Sequence, residues 1–255
     1  MSKLPPEHQF IDISDYGRKP GRWLAKSLVN TKVTPIHVTT LFIIVGLIAI
    51  TCILNGYYFA AAFFIILKSI IDASDGELAR LKNTPSHTGR YYDSLADLFL
   101  NFLLLSSIAY VTNTEFGIML LAFFGIQLQG TLYNFYYVIL RNSVNGDSTS
   151  RVFENENPKA FPQENQNTVD KIYKVYTAFY GPFDKIIYTI DREAANSKPF
   201  PKWFMTLVSV FGLGFQLLIM AILLMLDKAV YIIPFFTWFT VMILIFVAIR
   251  KLLLK

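Results

Sequence analysis

The chain has 255 residues, of which 54% are hydrophobic and 16% are charged, and its net charge is +5. This composition excludes an ordinary soluble domain and predicts an integral membrane protein. Cys52 is the only cysteine, which excludes a disulfide framework and a thiolate metal site. The net positive charge indicates affinity for anionic membrane lipid and does not indicate nucleic acid as a partner.

The first 36 residues form a polar, proline-containing arm that lacks the apolar core of a cleavable signal peptide. Within it, Gly21–Asn30 is predicted to be a helix at the membrane interface. Trp23 would lie among the lipid headgroups, with Arg22 and Lys26 reaching phosphates. A solvated basic flank is the alternative.

Residues 37–255 are predicted to form an all-α membrane domain of six transmembrane helices. Six apolar segments are long enough to cross a hydrocarbon core of roughly 30 Å. They are His37–Leu54, Tyr57–Asp72, Tyr92–Tyr110, Phe116–Leu140, Trp203–Leu226 and Val230–Ala248.

A cytoplasmic insertion at residues 142–200 separates the fourth segment from the fifth. Its first part, Asn142–Thr168, is rich in Asn, Glu and Ser and is predicted to be a loop. Val169–Ile190 mixes aromatic and basic residues, which predicts a membrane-surface helix with a break near Gly181-Pro182. This helix either shapes an acceptor entrance or is a passive linker.

The basic residues are distributed asymmetrically between the predicted connections. Apart from Lys68, inside a span, and Lys228, every Lys and Arg lies in the arm, the second or fourth connection, or the C-terminal tail. The positive-inside rule therefore predicts that both termini face the cytoplasm, together with the connection after the second span.

Residues 72–97 carry an unusual concentration of aspartate and glycine. The pattern is Asp72-x-x-Asp75-Gly76-x-x-Ala79-Arg80, then eight residues, then Gly89-x-x-x-Asp93-x-x-x-Asp97. On helices, these spacings place each set on one face. Two helices joined by a short turn can therefore point four carboxylates at one place.

Four neighbouring carboxylates would repel one another unless cations compensate their charge. Hard oxygen ligands suit Mg²⁺ or Mn²⁺, and two such ions would balance four carboxylates. The pattern thus predicts a two-metal phosphoryl-transfer site. Capping or snorkelling explains a single aspartate at a helix end but explains four in two registers poorly.

Several neighbouring residues are candidates to support this site. Arg80 lies one turn beyond Gly76 and can hold a phosphate. Gly76 and Gly89 indicate close approach of a ligand, with tight helix packing as the alternative. Lys68 can pair with Asp72 four residues later.

Further candidates extend away from the aspartates. Asn101 continues the Asp93–Asp97 face by one turn. Asn134 belongs to a polar stripe in the fourth span, and Arg141 projects near the cytoplasmic end of that span. The stripe either lines a substrate cavity or ties helices together by hydrogen bonds, and packing is slightly favoured.

The aspartate pattern resembles the complete signature of the CDP-alcohol phosphotransferase superfamily. Six spans with a cytoplasmic site are also similar to that family. The sequence departs from it at Pro35-Ile36-His37-Val38-Thr39, where many members have Asn in place of Ile36 to help hold the nucleotide.

The resemblance implies a metal-dependent transferase of phospholipid biosynthesis. An alcohol would attack a CDP-linked donor and release CMP. Asp72, Asp75 and Asp93 would hold two divalent cations, while Asp97 would be both a ligand and the general base. The CDP moiety would be held by Gly76, Ala79, Arg80 and Gly89.

The resemblance also indicates the substrates and the assembly. The expected donor is CDP-diacylglycerol, the expected acceptor is a soluble polar alcohol, and a homodimer is expected. Two other classes stay open on the residues alone. They are an aspartate-rich Mg²⁺-dependent membrane prenyltransferase, which would have two separated acidic motifs, and a divalent-cation transporter, which would carry acidic residues on several spans.

Overall fold

The computed structural model describes residues 4–144, 157–196 and 199–254. Within these ranges the secondary structure is helical, with no strand. The α-helices are α1 Arg18–Leu28, α2 Pro35–Leu54, α3 Tyr58–Lys82, α4 His87–Val111, α5 Phe116–Ser143, α6 Gln166–Ile190, α7 Lys202–Val208, α8 Leu213–Met225, α9 Ile232–Phe239 and α10 Met242–Leu253. Short 3₁₀ helices lie at Pro6–His8, Ile13–Asp15, Arg192–Asn196, Ser209–Phe211 and Ala229–Tyr231.

Several helices are long and apolar enough to cross a membrane. In the described part of the chain they are α2, α4, α5 and the Ala229–Leu253 stretch, and a fifth span results if the bent pair Lys202–Phe211 and Leu213–Met225 counts as one. The predicted second span is part of α3, whose apolar first half contains Lys68 and whose second half carries Asp72 and Asp75. The apolar helices support an integral membrane protein, and a total of six spans stays a prediction.

The two motif helices are each 25 residues long and are joined by a four-residue turn. The second apolar segment does not end as a helix at Asp72, because α3 continues to Lys82. Asn83 then ends it in the left-handed conformation, with φ of 52°. Ser86 caps α4 by accepting a hydrogen bond from the Gly89 amide. Asp72, Asp75, Asp93 and Asp97 are therefore all helical.

Helix α1 lies directly on α3, one turn before the first aspartates. Gly21 makes this possible, since an added Cβ there would lie 3.0 Å from the Ile70 carbonyl oxygen and 3.1 Å from the Ala73 Cβ. The opposite face of α1 exposes Trp23, which is 75% accessible. The helix predicted at Gly21–Asn30 thus exists at slightly different bounds, and its place at a membrane interface stays a prediction.

The predicted fifth span is bent, not straight. Helices α7 and α8 differ in direction by 52°, with the break at Gly212, whose backbone is extended. Ser14 of the arm fits against this break, and a Cβ at Gly212 or Gly214 would collide with Ser14. The lack of side chains at both glycines lets the arm and the bend pack together.

The predicted break near Gly181-Pro182 is wrong, because α6 continues through Pro182 to Ile190. A proline disfavours helix at the preceding residue by clashes with that residue's backbone N–H and Cβ, and Gly181 has no Cβ. The remaining cost is the backbone hydrogen bond that Pro182 cannot donate.

A buried charged cluster ties the C-terminal helices together behind the site. Asp191, at the end of α6, is paired with Arg250 of α10 and accepts a 2.6 Å hydrogen bond from the Tyr136 hydroxyl of α5. Asp191 is fully buried, and Arg250 is 2% accessible. Because each charge has its partner, the cluster fixes α5, α6 and α10 relative to one another.

Candidate metal and phosphate site

Helices α3 and α4 bring three of the four aspartates into one group. One carboxylate oxygen from each of Asp72, Asp75 and Asp93 lies within 4.8 Å of the others. The helical spacing explains this, since Asp72 and Asp75 share a face of α3 and Asp93 faces them from α4. Three convergent carboxylates are a ligand set for a hard divalent cation.

The hydrogen bonds of this group leave ligand positions available. Asp75 accepts a 2.6 Å hydrogen bond from the Thr39 hydroxyl of α2, which orients its carboxylate. Among the described residues, the buried Oδ1 atom of Asp93 has no hydrogen-bond partner. A buried carboxylate oxygen without a donor is costly, and a bound cation would satisfy it. The residues present therefore fit Mg²⁺ or Mn²⁺.

Asp97 lies outside the group of three carboxylates and is paired with a lysine that also contacts Asp72. The Lys68 ammonium pairs with Asp97 and also donates a 2.9 Å hydrogen bond to Asp72 Oδ2. Lys68 is 2% accessible, and its ammonium lies 4.5 Å from the centre of the Phe42 ring. The predicted Lys68–Asp72 pair is present, and Lys68 bridges the metal group to the fourth aspartate.

One large cavity, of about 1530 Å³, opens beside the aspartates. Its walls come from the N-terminal end of α2, from α3, α4, α5, α6 and α8, and from residues 158–168. Asp75, Asp93 and Asp97 line it, and Asp72 is not among its lining residues. The volume exceeds the usual range of roughly 300–1,000 Å³ for small-molecule sites, so two substrates can share the cavity.

The residues expected to hold a CDP group lie on the same wall. Gly76, Ala79, Arg80 and Gly89 all line the cavity. A Cβ at Gly76 would meet only the Arg80 guanidinium, at 3.6 Å, among the described residues. Helix packing therefore does not require Gly76, which favours the ligand explanation over the packing one.

The Arg80 guanidinium is held beside the cavity by the carboxylate of Glu77. It pairs with Glu77 at 3.1 Å, and Arg22 of α1 contacts the same carboxylate at 3.3 Å. Glu77 is 1% accessible as a side chain, while Arg80 remains 29% accessible. Arg80 is thus oriented at its base and available to an anion at its edge.

The supporting candidates separate into two groups. Asn101 and Asn134 line the cavity, and so do Gln127 and Thr131 of the α5 stripe. The stripe thus lies where a substrate can reach it. Arg141 is buried outside the cavity lining, with its guanidinium 5.6 Å from the centre of the Tyr137 ring.

Sequence reasoning did not single out two residues that shape the site. Thr39 contacts Asp75 from the Pro35–Thr39 element, in which the sequence pattern pointed to Ile36. Tyr180 of α6 donates a 2.7 Å hydrogen bond to the Ser94 carbonyl oxygen and lines the cavity. Tyr180 belongs to the aromatic face of the insertion helix, and that face was the available signal.

The comparison with protein families gives this geometry its chemical context. Residues 32–151 match the family described as CDP-alcohol phosphatidyltransferase, and the matched region contains α2 to α5 with all four aspartates. Residues 32–151 are a CDP-alcohol phosphatidyltransferase domain. The domain covers slightly less than half of the 255 residues, and the transferase family that it resembles uses a CDP-linked donor and an alcohol acceptor.

The relatives come from archaea and yeast. The "Bifunctional IPC transferase and DIPP synthase" of Thermococcus kodakarensis is 35% identical over 101 residues, which are 38% of this chain and 23% of that protein. The protein of the same description from Archaeoglobus fulgidus is 32% identical over 109 residues, 42% of this chain and 22% of its own length.

The "CDP-diacylglycerol--serine O-phosphatidyltransferase" of Saccharomyces cerevisiae is 41% identical over 70 residues, 27% of this chain and 25% of the yeast protein. The matched part of this chain therefore spans about a quarter of the length of these curated relatives.

Proposed function

We propose that this protein transfers a phosphatidyl group from CDP-diacylglycerol to a soluble polar alcohol and releases CMP. The observation that carries the proposal is the convergence of Asp72, Asp75 and Asp93 beside a cavity that Asp97 also lines. The compact acidic cluster and the family match favour this reaction over prenyl transfer and cation transport.

The aspartates supply the charge compensation that the reaction needs. Asp72, Asp75 and Asp93 would hold a divalent cation, and Asp97 would complete a second position, for two Mg²⁺ or Mn²⁺ ions in all. When bound, these cations neutralise the diphosphate and the charge that develops on the leaving phosphate oxygen. Arg80 would hold the same diphosphate from the cavity mouth.

The bond changes follow from these positions. The acceptor hydroxyl oxygen forms a bond to the phosphorus that carries diacylglycerol, and the bond from that phosphorus to the CMP oxygen breaks. The Asp97 carboxylate takes the hydroxyl proton, and the bond electrons leave with CMP. The small residues of this wall allow the CDP moiety to approach the helix backbone closely; they are Gly76, Ala79 and Gly89.

The contact with Lys68 stabilises the ionised form of the Asp97 carboxylate. The positive charge of the ammonium favours this form, which is the form that can accept a proton. Lys68 contacts Asp72 as well, so it also balances charge between the two helices. Both contacts leave the remaining oxygen of each carboxylate for a cation or an acceptor hydroxyl.

The proposal includes a place and an assembly for the protein. The apolar helices would cross a membrane with the aspartates and both termini on the cytoplasmic side, as the basic residues indicate. A lipid donor would then enter from the bilayer and a soluble alcohol from the cytoplasm. A homodimer is proposed from the family resemblance.

The test supplies purified protein with radiolabelled CDP-diacylglycerol and one alcohol at a time from a panel of serine, inositol, inositol phosphate, glycerol phosphate and glycerol. We expect one acceptor to yield a labelled phospholipid and an equal amount of CMP, and excess EDTA to abolish both products. CMP release that persists in EDTA would refute the metal mechanism. Transfer from a prenyl diphosphate in place of the CDP donor would refute the reaction.

A further inference from the structure

The residues after α5 include a carboxylate that joins the insertion to the motif helices. Glu164 accepts hydrogen bonds from the Ser86 hydroxyl at 2.8 Å, the Thr88 amide at 2.7 Å and the His87 amide at 3.1 Å. It also accepts a hydrogen bond from the Phe161 amide of its own segment, at 3.3 Å. One side chain, distant in sequence, thus receives two of the first amides of α4.

The same contacts complete the cap of the helix that carries Asp93. Ser86, held by Glu164, accepts the Gly89 amide at 2.8 Å. The first amides of a helix have no partner within the helix, so side chains or ligands must satisfy them. Ser86 and Glu164 together satisfy those of His87, Thr88 and Gly89. A carboxylate is also the favourable charge at this end of a helix.

Aromatic contacts hold the insertion in this place. Phe161 stacks on His87, with ring centres 4.7 Å apart. Behind it, Tyr176 of α6 packs on Tyr91 of α4 at 4.7 Å, and Tyr180 reaches the Ser94 carbonyl oxygen. Glu164 therefore belongs to a braced surface along α4.

The position of this cap links it to substrate binding. Glu164 lies outside the family match at residues 32–151, but Ser86, His87, Thr88, Gly89 and Glu164 all line the cavity. Gly89 is at the third position of α4, and Asp93 follows one turn later on the same face. A shift of the first turn would move both the glycine wall and a metal ligand.

We propose that Glu164 is a positioning residue: it fixes the first turn of α4 so that Gly89 and Asp93 meet the diphosphate of the CDP-linked donor. The insertion thereby becomes a working part of the donor site and not a passive linker. The inference rests on the proposed function for the identity of the donor.

The test compares Glu164→Ala and Glu164→Gln with Glu115→Ala as the matched control. Glu115 is the N-cap residue of α5, its side chain makes no cap hydrogen bond, and it does not line the cavity, so its loss leaves the α4 amides capped. Hydrogen exchange of a peptide covering residues 84–92 reports on the turn without any substrate. Steady-state kinetics with CDP-diacylglycerol give KM and kcat.

Hydrogen bonds to a charged group are worth enough that losing them should speed exchange of the 84–92 peptide by at least about tenfold in Glu164→Ala. We expect the KM for the donor to rise by about tenfold and kcat to change by less than about threefold. Glu164→Gln should show the same pattern more weakly, and Glu115→Ala should match the original protein.

Unchanged exchange and unchanged KM in Glu164→Ala would overturn the proposal. Faster exchange along the whole chain, with KM and kcat impaired together, would also overturn it by showing a general role in stability. If Glu164→Ala does not fold, Glu164→Gln is judged by the same criteria. If the original protein transfers nothing from CDP-diacylglycerol, the proposed function fails, and the exchange measurement alone decides whether Glu164 fixes the turn.

Discussion

Substitution of Asp97 is the most direct test of the proposed chemistry. Asp97→Asn keeps the size and one oxygen but cannot accept the acceptor's proton. General base catalysis contributes about 10²–10⁴-fold, so we expect turnover to fall by at least about a hundredfold. Donor binding should survive in part through Arg80 and the other carboxylates, whereas Arg80→Ala should mainly weaken donor binding. Single-turnover rates and donor affinities measured on both variants separate these roles.

The matched control for this substitution is Asp227→Asn. Asp227 lies in the turn after α8, outside the cavity, and its φ of 56° suits asparagine as well as aspartate. Asp227→Asn should keep full turnover. Near-normal turnover in Asp97→Asn would remove Asp97 from the chemistry and leave it as a packing or metal-tuning residue.

The role proposed for Lys68 can be tested without substrate, by measuring thermal stability. In Lys68→Met, Asp72 and Asp97 lose their shared cation, and breaking a buried ion pair from one side costs about 3–5 kcal/mol. We expect the metal-free variant to melt well below the original protein in detergent. Mn²⁺ should restore much of the difference, because it supplies the missing charge to the same carboxylates.

Lys228→Met, in an exposed turn, is the control for loss of a lysine and should melt like the original protein with and without Mn²⁺. Equal melting temperatures of the two metal-free variants would contradict the charge-balancing role of Lys68.

At the scale of single residues, the candidate metal ligands could be predicted from the sequence, but the residues that hydrogen-bond the site could not. The aspartates could be found because their spacing within each helix is a local property. Thr39 and Glu164 were missed because their contacts with Asp75 and with the α4 amides depend on how distant segments pack. No periodicity in a single segment records such a contact.

The packing of α1 on α3 can be tested at the scale of helices. Gly21→Ala places a Cβ 3.0–3.1 Å from backbone atoms of Ile70 and Ser74, which cannot move without shifting α3. Overpacking of this kind costs about 1–3 kcal/mol, so thermal stability should fall. Turnover should fall as well, because α3 carries Asp72 and Asp75.

Gly117→Ala in α5 is the matched control, since an added Cβ there has no described heavy atom within 4 Å. It should be neutral or stabilising by about 0.5–1 kcal/mol, since alanine loses less entropy in a helix. If both variants had the same melting temperature, the close approach of α1 to α3 would be refuted.

The cap of α4 should respond to acid in a defined direction. Burial opposes the ionised form of Glu164, but hydrogen bonds from Thr88, His87 and Ser86 outweigh it and lower the pKa of its carboxyl below the usual range. A lowered pKa in the folded state stabilises the protein above the pKa of the unfolded state. This stability is lost as the pH falls through the folded value.

We therefore expect Glu164→Gln to melt below the original protein at neutral pH. The gap should narrow as the solution is acidified through the range in which Glu164 becomes protonated. Melting curves across a pH series measure this gap, and a gap that is constant down to strongly acidic pH would contradict the effect.

Helix positions were largely predictable, and helix continuity was not. The insertion helix and the helices around the motif follow from apolar periodicity and capping residues. The bend between α7 and α8 and the continuation of α6 were not predictable, because the first depends on a neighbouring segment and the second on the absence of one Cβ. The arm at Ser14 fits the bend at Gly212, and Gly181 allows α6 to continue through Pro182.

For the whole molecule, the proposed orientation can be tested with two asparagines in the same backbone conformation. Asn83 is the C-cap of α3 and Asn113 follows the C-cap of α4, with φ of 52° and 51°, and they lie at opposite ends of the helix pair. In a Cys52-free variant, a cysteine at 83 should react with an impermeant maleimide only from the cytoplasmic side. A cysteine at 113 should react only from the other side. Labelling of both from one side would refute the orientation.

The contact between the arm and the bend in α7–α8 has a consequence for biogenesis. The Ile13 amide bonds the Ser209 hydroxyl across 196 residues, and Ser14 fits against Gly212 and Gly214. At roughly 5–20 residues per second, the arm leaves the ribosome about 10–40 s before that partner is made. Residues 13 and 14 are thus made well before the partner on which they dock, and a nascent chain that stops before α7 leaves the Ile13 amide and Ser14 without that partner.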